Sequence, residues 1–131
     1  MKGGFSVEIQ WFSKNLQGVV TIYETNITLN TVAASYFENS YSTRIGIDPS
    51  ANVLIIKSIS KSEAEESGFK DSDLHPISIK PSYGRINGKK IINNLCRVFP
   101  LNFQEKNMYK FHCDWDARKK YLMVYLNEEV K

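Results

Sequence analysis

The sequence predicts an α+β fold: a strand-rich single domain, residues 1–131, built from two quasi-repeated β-β-α-β-β units. The first observation is composition, because 131 residues with 42% hydrophobic and 12% aromatic side chains suit one globular domain. The second is that short alternating or β-branched segments outnumber helical patterns. The third is a pattern that occurs twice, in residues 47–56 and 115–124, at a constant shift of 68 residues. We place the quasi-repeats at 19–58 and 76–127.

Extended segments open the chain. Phe5–Trp11 alternates apolar and polar side chains, which is the pattern of a half-buried strand. After a turn at 15–18, Val19–Tyr23 is rich in β-branched residues and predicts a second strand. A short third extended piece is expected at Ile27–Leu29.

A short helix and a hairpin complete the first unit. Asn30 can cap a helix over Thr31–Phe37, because its side-chain oxygen can accept from an N–H of the first turn. The residues expected to face inward are Val32, Tyr36 and Phe37. Thr43–Ile47 and Val53–Ile56 then form a hairpin around an Asp-Pro turn. The returning strand is apolar on both faces, which predicts burial between two layers.

Segment 59–74 joins the two units. It carries a net charge of −3. Ser62 and Glu65 fit a capping box and predict one or two helical turns over 61–67.

The second unit repeats the same order of elements. An extended piece at Ile77–Lys80 precedes a longer helix at Lys89–Phe99. The helix residues expected in the core are Ile91, Ile92, Leu95, Val98 and Phe99. Tyr109–Trp115 alternates as a strand, and Tyr121–Leu126 is the last strand.

Composition also indicates a compartment. No apolar run approaches the roughly 20 residues of a membrane helix, and the first residues do not resemble a signal peptide. Two cysteines in such a chain are most simply free thiols. We therefore expect a cytoplasmic protein with no membrane partner.

No residue pattern indicates catalysis. His112 and Cys113 are adjacent, but neighbours on a strand point to opposite faces, so they cannot form a thiolate pair. The cysteines and histidines show no metal-ligand spacing, and the glycines match no phosphate-binding motif. We therefore predict no enzyme activity, no cofactor and no metal.

The charge distribution points to a different kind of site. Residues 75–131 carry a net charge of +6, and between His75 and Gln104 there are five basic residues and no acid. Such a local excess is where a polyanion binds, although a solvated surface has the same composition. The predicted nucleic-acid contacts are Lys80, Tyr83, Arg85, Lys89, Lys90 and Arg97.

The layout resembles the swapped-hairpin barrel proteins of the AbrB/MazE/MraZ type. The similarity rests on the tetrad Ile27–Asn30 before a short helix and on the apolar return strand Val53–Lys57. Asn30 and Asn87 stand where that family usually has proline. Two copies in one chain resemble the MraZ arrangement, and this resemblance implies a barrel that binds DNA.

Two function classes follow. The leading prediction is a small non-catalytic regulator that binds DNA through the basic window of the second unit, with a homodimer as one expected assembly. The alternative is a protein-interaction module, such as an antitoxin-like or phage-related accessory subunit, that pairs through an exposed strand edge such as Phe5–Trp11.

Overall fold

A computed structural model describes residues 17–130 of the chain. Its elements in chain order are β1 (Gly18–Tyr23), β2 (Asn26–Leu29), α1 (Thr31–Ser35), β3 (Ser42–Asp48), β4 (Val53–Ile59), α2 (Lys61–Glu66), a 3₁₀ turn (Asp71–Asp73), β5 (Ser78–Lys80), β6 (Tyr83–Asn87), α3 (Lys89–Val98), β7 (Met108–Asp116) and β8 (Tyr121–Glu129). The predicted strand Phe5–Trp11 and the first half of the predicted turn at 15–18 lie outside the described residues. No helix of the described part is long and apolar enough to cross a membrane.

The strands of the described residues form one antiparallel sheet in the order β3-β4-β8-β7-β1-β2-β6-β5. The sheet curls into a half-barrel. The expected strand-rich α+β domain is therefore confirmed. Both segments of the doubled pattern are β-hairpins, β3–β4 and β7–β8. Descent of the two halves from one repeated unit stays a prediction.

The core fills the concave side of the sheet. Its fully buried strand residues include Ile22, Ile27, Ile56, Ile86 and Leu122, each at 0% exposure. Because side chains alternate along a strand, the residues between these face the other way, towards solvent. The concave face is apolar and the outer face is largely polar.

Asn30 caps α1 as expected, and it also ties the helix to β1. Its side-chain oxygen accepts from the backbone N–H groups of Ala33, at 3.0 Å, and Val19, at 3.1 Å. Its side-chain amide donates to the carbonyl oxygen of Gln17 at 2.9 Å. One side chain thus sets both the start of the helix and its distance from the sheet.

Two core assignments within helices were wrong. Tyr36 is 40% exposed, and its ring stacks on Trp115 at 5.0 Å between centroids. The small residues Ala33 and Ala34 occupy the core instead, because α1 packs too close to the sheet for a larger side chain. Val98 is 43% exposed, since the helix face buried against the sheet is the one carrying Ile91, Ile92 and Leu95.

Two further expectations are corrected. The capping box is formed by Ser60 and Glu63, not by Ser62 and Glu65, because the helix begins directly after β4 ends at Ile59. In addition, β4 is not buried between two layers. Its alternate residues are only half-buried, since the sheet is a single curled layer with its core on one side.

Candidate nucleic-acid interface

The β5–β6 hairpin brings three of the predicted contact residues together. Lys80 lies directly opposite Tyr83 across the hairpin. The guanidinium carbon of Arg85 lies 5.3 Å from the centre of the Tyr83 ring, at cation–π distance. Tyr83 and Arg85 point away from the core, because Gly84 and Ile86, which alternate with them along β6, are buried. Lys80 points the same way, because it pairs with Tyr83.

Sheet pairing extends this cluster across the outer face. Arg85 pairs with Thr28, Thr28 pairs with Thr21, and Thr21 pairs with Lys110. Directly paired residues share a face, so the four side chains form one row across β6, β2, β1 and β7. Arg85 and Lys110 at the two ends of this row are exposed.

We call this surface the outer face. It consists of the outward-facing residues of β5, β6, β2 and β1, together with those of β7 as far as His112. Within it there is no acidic side chain, but Asp114, the next outward residue of β7, adjoins it and lines one cavity with His112 and Glu128. Its basic and aromatic members are Lys80, Arg85, Lys110, His112, Tyr23 and Tyr83. A polyanion lying across these strands would meet the positive charges of Lys80, Arg85 and Lys110, while Thr21 between them is buried, with 9% exposure.

The remaining predicted residues lie elsewhere. Lys89 and Lys90 occupy the first turn of α3, whose N-cap residue, Gly88, offers no side-chain cap. Arg97 lies in the last turn of the same helix. With a rise of about 1.5 Å per residue, Arg97 is roughly 12 Å along the helix from Lys89. The six predicted residues therefore fall into a hairpin group, a helix-start group and the separate Arg97.

Lys89 and Lys90 line a cleft of about 740 Å³ between α3, β3 and the 3₁₀ turn. Arg44 of β3 shares the cleft, and so do Asp71 and Asp73. The basic window lacks acids along the sequence, but folding places two carboxylates in the same cleft as these two lysines. Burial lowers the pKa of His75 in the same cleft, which favours its neutral form.

Sequence reasoning missed Lys110 and Arg44. Lys110 is 25 residues after Arg85 and outside the acid-free window. Its outward direction was visible in the alternation of β7, but its place in the row with Arg85 depends on the β1–β7 and β1–β2 registers. No pattern within the neighbouring sequence predicts those strand registers.

Cys113 is a buried thiol. It is 7% exposed, and burial raises its pKa to about 12. Beside it, a smaller cavity of about 360 Å³ is lined by His112 and Asp114, among others. The Tyr125 hydroxyl donates to the Asp114 carboxylate at 2.9 Å. Cys113 is therefore protonated at neutral pH and a poor nucleophile.

The described residues contain no group of three or more His, Cys, Asp or Glu side chains arranged to hold a metal ion. The outer face brings together three of the six predicted contacts, Lys80, Tyr83 and Arg85, on adjacent strands. Comparisons of this chain with protein-family models, curated proteins and solved structures find no match.

Proposed function

We propose that this protein is a small, non-catalytic cytoplasmic regulator that binds DNA through its outer face. The observation that carries the proposal is that Arg85 and Lys110, both exposed, lie at the two ends of one row across β6, β2, β1 and β7 with no acidic side chain between them. Lysine and arginine side chains are among the groups that contact phosphate oxygens. The protonated thiol of Cys113 supports the non-catalytic part of the proposal.

We also propose that the two halves are tandem copies of a swapped-hairpin unit of the AbrB/MazE/MraZ type. The strand order supports this relationship. Each strand of the first half can be matched with one of the second half, β1 with β5, β2 with β6, β3 with β7 and β4 with β8. Under this match the β2–β6 and β4–β8 pairings correspond to themselves, and the β1–β2 pairing corresponds to β5–β6. The counterpart of the β1–β7 pairing would be a pairing of β5 with β3. The single bridge between Thr43 of β3 and His75, just before β5, lies near this place.

In this proposal the contact residues have separate roles. Lys80 and Lys110 neutralise phosphates at two ends of the face, which gives affinity without sequence information. Arg85 can also read a guanine edge, because its guanidinium presents two parallel donors. The ring of Tyr83, two residues earlier on β6, holds that guanidinium in place.

A salt titration of duplex DNA binding, followed by fluorescence anisotropy, tests the proposal. If Lys80, Arg85 and Lys110 each release one counterion, log K falls against log salt with a slope of roughly −3. Replacing all three by alanine removes most of that slope. The Lys89→Ala/Lys90→Ala variant reports whether the α3 start adds about two further contacts.

Arg118→Ala/Lys119→Ala is the matched control, because it removes two exposed charges from the β7–β8 turn, away from the outer face. We expect this variant to keep the slope of the wild type. Salt-independent binding, no binding at about 50 mM salt, or equal losses in the control and outer-face variants would refute the proposal.

The protein-interaction alternative is favoured by a separate observation. Phe5–Trp11, the edge first expected to pair, lies outside the described residues. Within the described residues, β3 is an outermost strand of the sheet and is bridged beyond β4 at one residue, Thr43. An open strand edge is a template for pairing with another chain.

A further inference from the structure

The cleft of about 740 Å³ lies beside β3, one of the two outermost strands of the described sheet. The sheet does not close there, because a single bridge in the described residues, between Thr43 and His75, links β3 to the segment that leads into β5. The 3₁₀ turn and the start of α3 flank the gap, and the cleft is the space left between them and β3. Its volume lies within the roughly 300–1,000 Å³ that is usual for small-ligand sites.

Part of the cleft wall is aliphatic. The side chains concerned are Ile45, Ile47, Leu54, Ile91 and Leu95. The last three belong to the core, while the two isoleucines of β3 pack against it and stay partly exposed. Among the described residues no Phe, Tyr or Trp ring lines the cleft. The cleft therefore offers contacts to branched aliphatic groups and no platform on which a nucleic-acid base would stack.

Charges of both signs line the same cleft, with Lys89 and Lys90 at the start of α3 and Asp71 and Asp73 on the 3₁₀ turn. No salt bridge joins these lysines to these aspartates, so their charged atoms stay more than 4.0 Å apart. One oxygen of Asp73 accepts from the Lys70 N–H at 2.9 Å, whereas no described residue donates to the Asp71 carboxylate. The two signs therefore occupy separate places in the cleft.

The start of α3 adds donors on the basic side. Its N-cap residue Gly88, which also lines the cleft, has no side chain to accept from the N–H groups of the first turn. These groups lack an acceptor within the helix, and the helix dipole places partial positive charge on them. The first turn also carries no acidic residue. A carboxylate bound next to Lys89 and Lys90 would thus receive hydrogen bonds as well as positive charge.

This charge pattern selects against ligands of one sign. A simple anion drawn to the two lysines would lie near Asp71 and Asp73, and a simple cation drawn to the aspartates would lie near the lysines and Arg44. A ligand with one charge of each sign and an aliphatic body matches the basic side, the acidic side and the apolar wall together. Its two charges must be separated, because those of the protein are separated.

We propose that this cleft binds a short aliphatic peptide with free ends. The carboxylate at its C-terminus binds at Lys89, Lys90 and the first N–H groups of α3, and its terminal ammonium binds at Asp71. Its side chains pack on Ile45 and Ile47. Three extended residues span about 10 Å, so such a peptide can reach both charged places. A single amino acid carries both charges on one carbon and has one side chain, so it covers less of the aliphatic wall.

Isothermal titration calorimetry of the full chain with trileucine tests the proposal. We expect binding with a Kd below about 1 mM. Acetylating the N-terminus of trileucine removes its ammonium, and amidating the C-terminus removes its carboxylate. Each change should weaken binding at least about tenfold, because it leaves one set of charges in the cleft unmatched. Trialanine, which has both charges but smaller side chains, should also bind at least about tenfold more weakly.

Two variants assign each end of the peptide to its side of the cleft. In Asp71→Asn, acetylation should cost less than about threefold while amidation keeps its full effect, and in Lys89→Ala/Lys90→Ala the pattern is reversed. All three side chains are exposed, so the fold should be retained, which urea unfolding checks. Arg118→Ala/Lys119→Ala, in the β7–β8 turn, is the control and should bind trileucine like the wild type.

Three results would overturn the proposal. The first is no binding of trileucine at about 5 mM. The second is binding that neither acetylation nor amidation weakens, because the charged ends would then have no role. The third is an equal effect of both end modifications in both variants, which would place the peptide on another surface. None of these measurements involves DNA, so this inference stands or falls separately from the proposed function.

Discussion

Asn52 and Lys120 adopt the same left-handed backbone conformation, with φ of 55° and 56°, although they lie 68 residues apart. Each ends the turn of a β-hairpin that an aspartate opens. The side chains of Asp48 and Asp116 accept hydrogen bonds from the backbone N–H groups two and three residues later. The two turns are therefore built by the same local chemistry, which explains why the sequence pattern occurs at the same spacing.

Replacing Lys120 by glycine should stabilise the protein by up to about 1 kcal/mol. The left-handed conformation costs a non-glycine residue roughly 1–2 kcal/mol, and glycine removes that cost at the expense of greater freedom in the unfolded chain. Lys119→Gly is the matched control and should destabilise, since its φ is not positive. Urea unfolding measures both variants, and an equal loss of stability in the two would contradict the prediction.

The sequence predicted the hairpins well because their signals are local. The aspartate that opens a turn accepts hydrogen bonds from residues two and three positions later. The alternating segment Tyr109–Trp115 lies directly before the turn that joins it to its partner strand. The outer face is different, since Arg85 and Lys110 share a row through three successive strand pairings. Those pairings depend on packing between distant segments, so the predicted site contained Arg85 without Lys110.

Burial on the helices was harder to predict for a related reason. Periodicity shows that a helix has an apolar side, but the contact with the sheet decides which residues lie at its centre. The close approach of α1 favoured Ala33 and Ala34 over Tyr36. The start of α2 depended on where β4 ended, which moved the cap by two residues to Ser60.

Ser60→Ala should lower the free energy of unfolding by about 1 kcal/mol, the usual cost of losing an N-cap side chain. Its hydroxyl accepts from the Glu63 N–H at 3.1 Å, and the Glu63 carboxylate accepts from the Ser60 N–H at 3.0 Å. Ser62→Ala is the matched control and should change stability by less than about 0.5 kcal/mol. Equal effects of the two substitutions would show that the capping box contributes nothing.

The same capping box should respond to acid. The hydrogen bond from the Ser60 backbone is the main reason that the pKa of Glu63 lies below its ordinary value of 4.5. A depressed pKa in the folded state contributes stability above pH 4.5, and this contribution is lost as the pH falls below that value. We therefore expect the free energy of unfolding, measured in urea, to fall less between pH 6 and pH 3 in Glu63→Gln than in the wild type. Glutamine does not take up a proton in this range, so this contribution to the pH dependence is removed.

Gly18 and Cys113 should be energetically coupled. A Cβ atom at Gly18 would lie 2.7 Å from the sulfur of Cys113, which is too close for both atoms. Gly18→Ala should therefore cost roughly 1–3 kcal/mol, and the cost should shrink by at least about 0.5 kcal/mol when Cys113 is also alanine. Gly46→Ala is the control, since its Cβ meets nothing within 4 Å. Additive effects at Gly18 and Cys113 would contradict the predicted contact.

Cys113 should also make the protein less stable in alkali. Burial raises its pKa from 9.0 to about 12, so the unfolded chain loses this proton more readily than the folded one. The contribution is fully present below pH 9 and is lost as the pH rises from 9 towards 12. The free energy of unfolding should be lower at pH 10.5 than at pH 8, and this difference should be smaller in Cys113→Ala.

Thiol reagents should modify half-buried Cys96 before Cys113 in the native protein.

Arg85 should control sequence preference on DNA more than affinity. Arg85→Lys keeps a positive charge at the end of the Thr28–Thr21–Lys110 row, so the salt slope should stay within about one unit of the wild type. It removes the two parallel donors, so the ratio of affinity for a selected site to that for random duplex should fall about tenfold or more.

Lys110→Ala provides the contrast, because a phosphate contact positions the protein without reading bases. It should weaken binding to the selected and random sequences alike and reduce the magnitude of the slope by about one. Selection of a site from a random duplex library, followed by anisotropy on both DNAs, measures the two effects. If Arg85→Lys lowered both affinities equally and left their ratio intact, Arg85 would be a phosphate contact like Lys110, and the base-reading role would have to lie elsewhere on the protein.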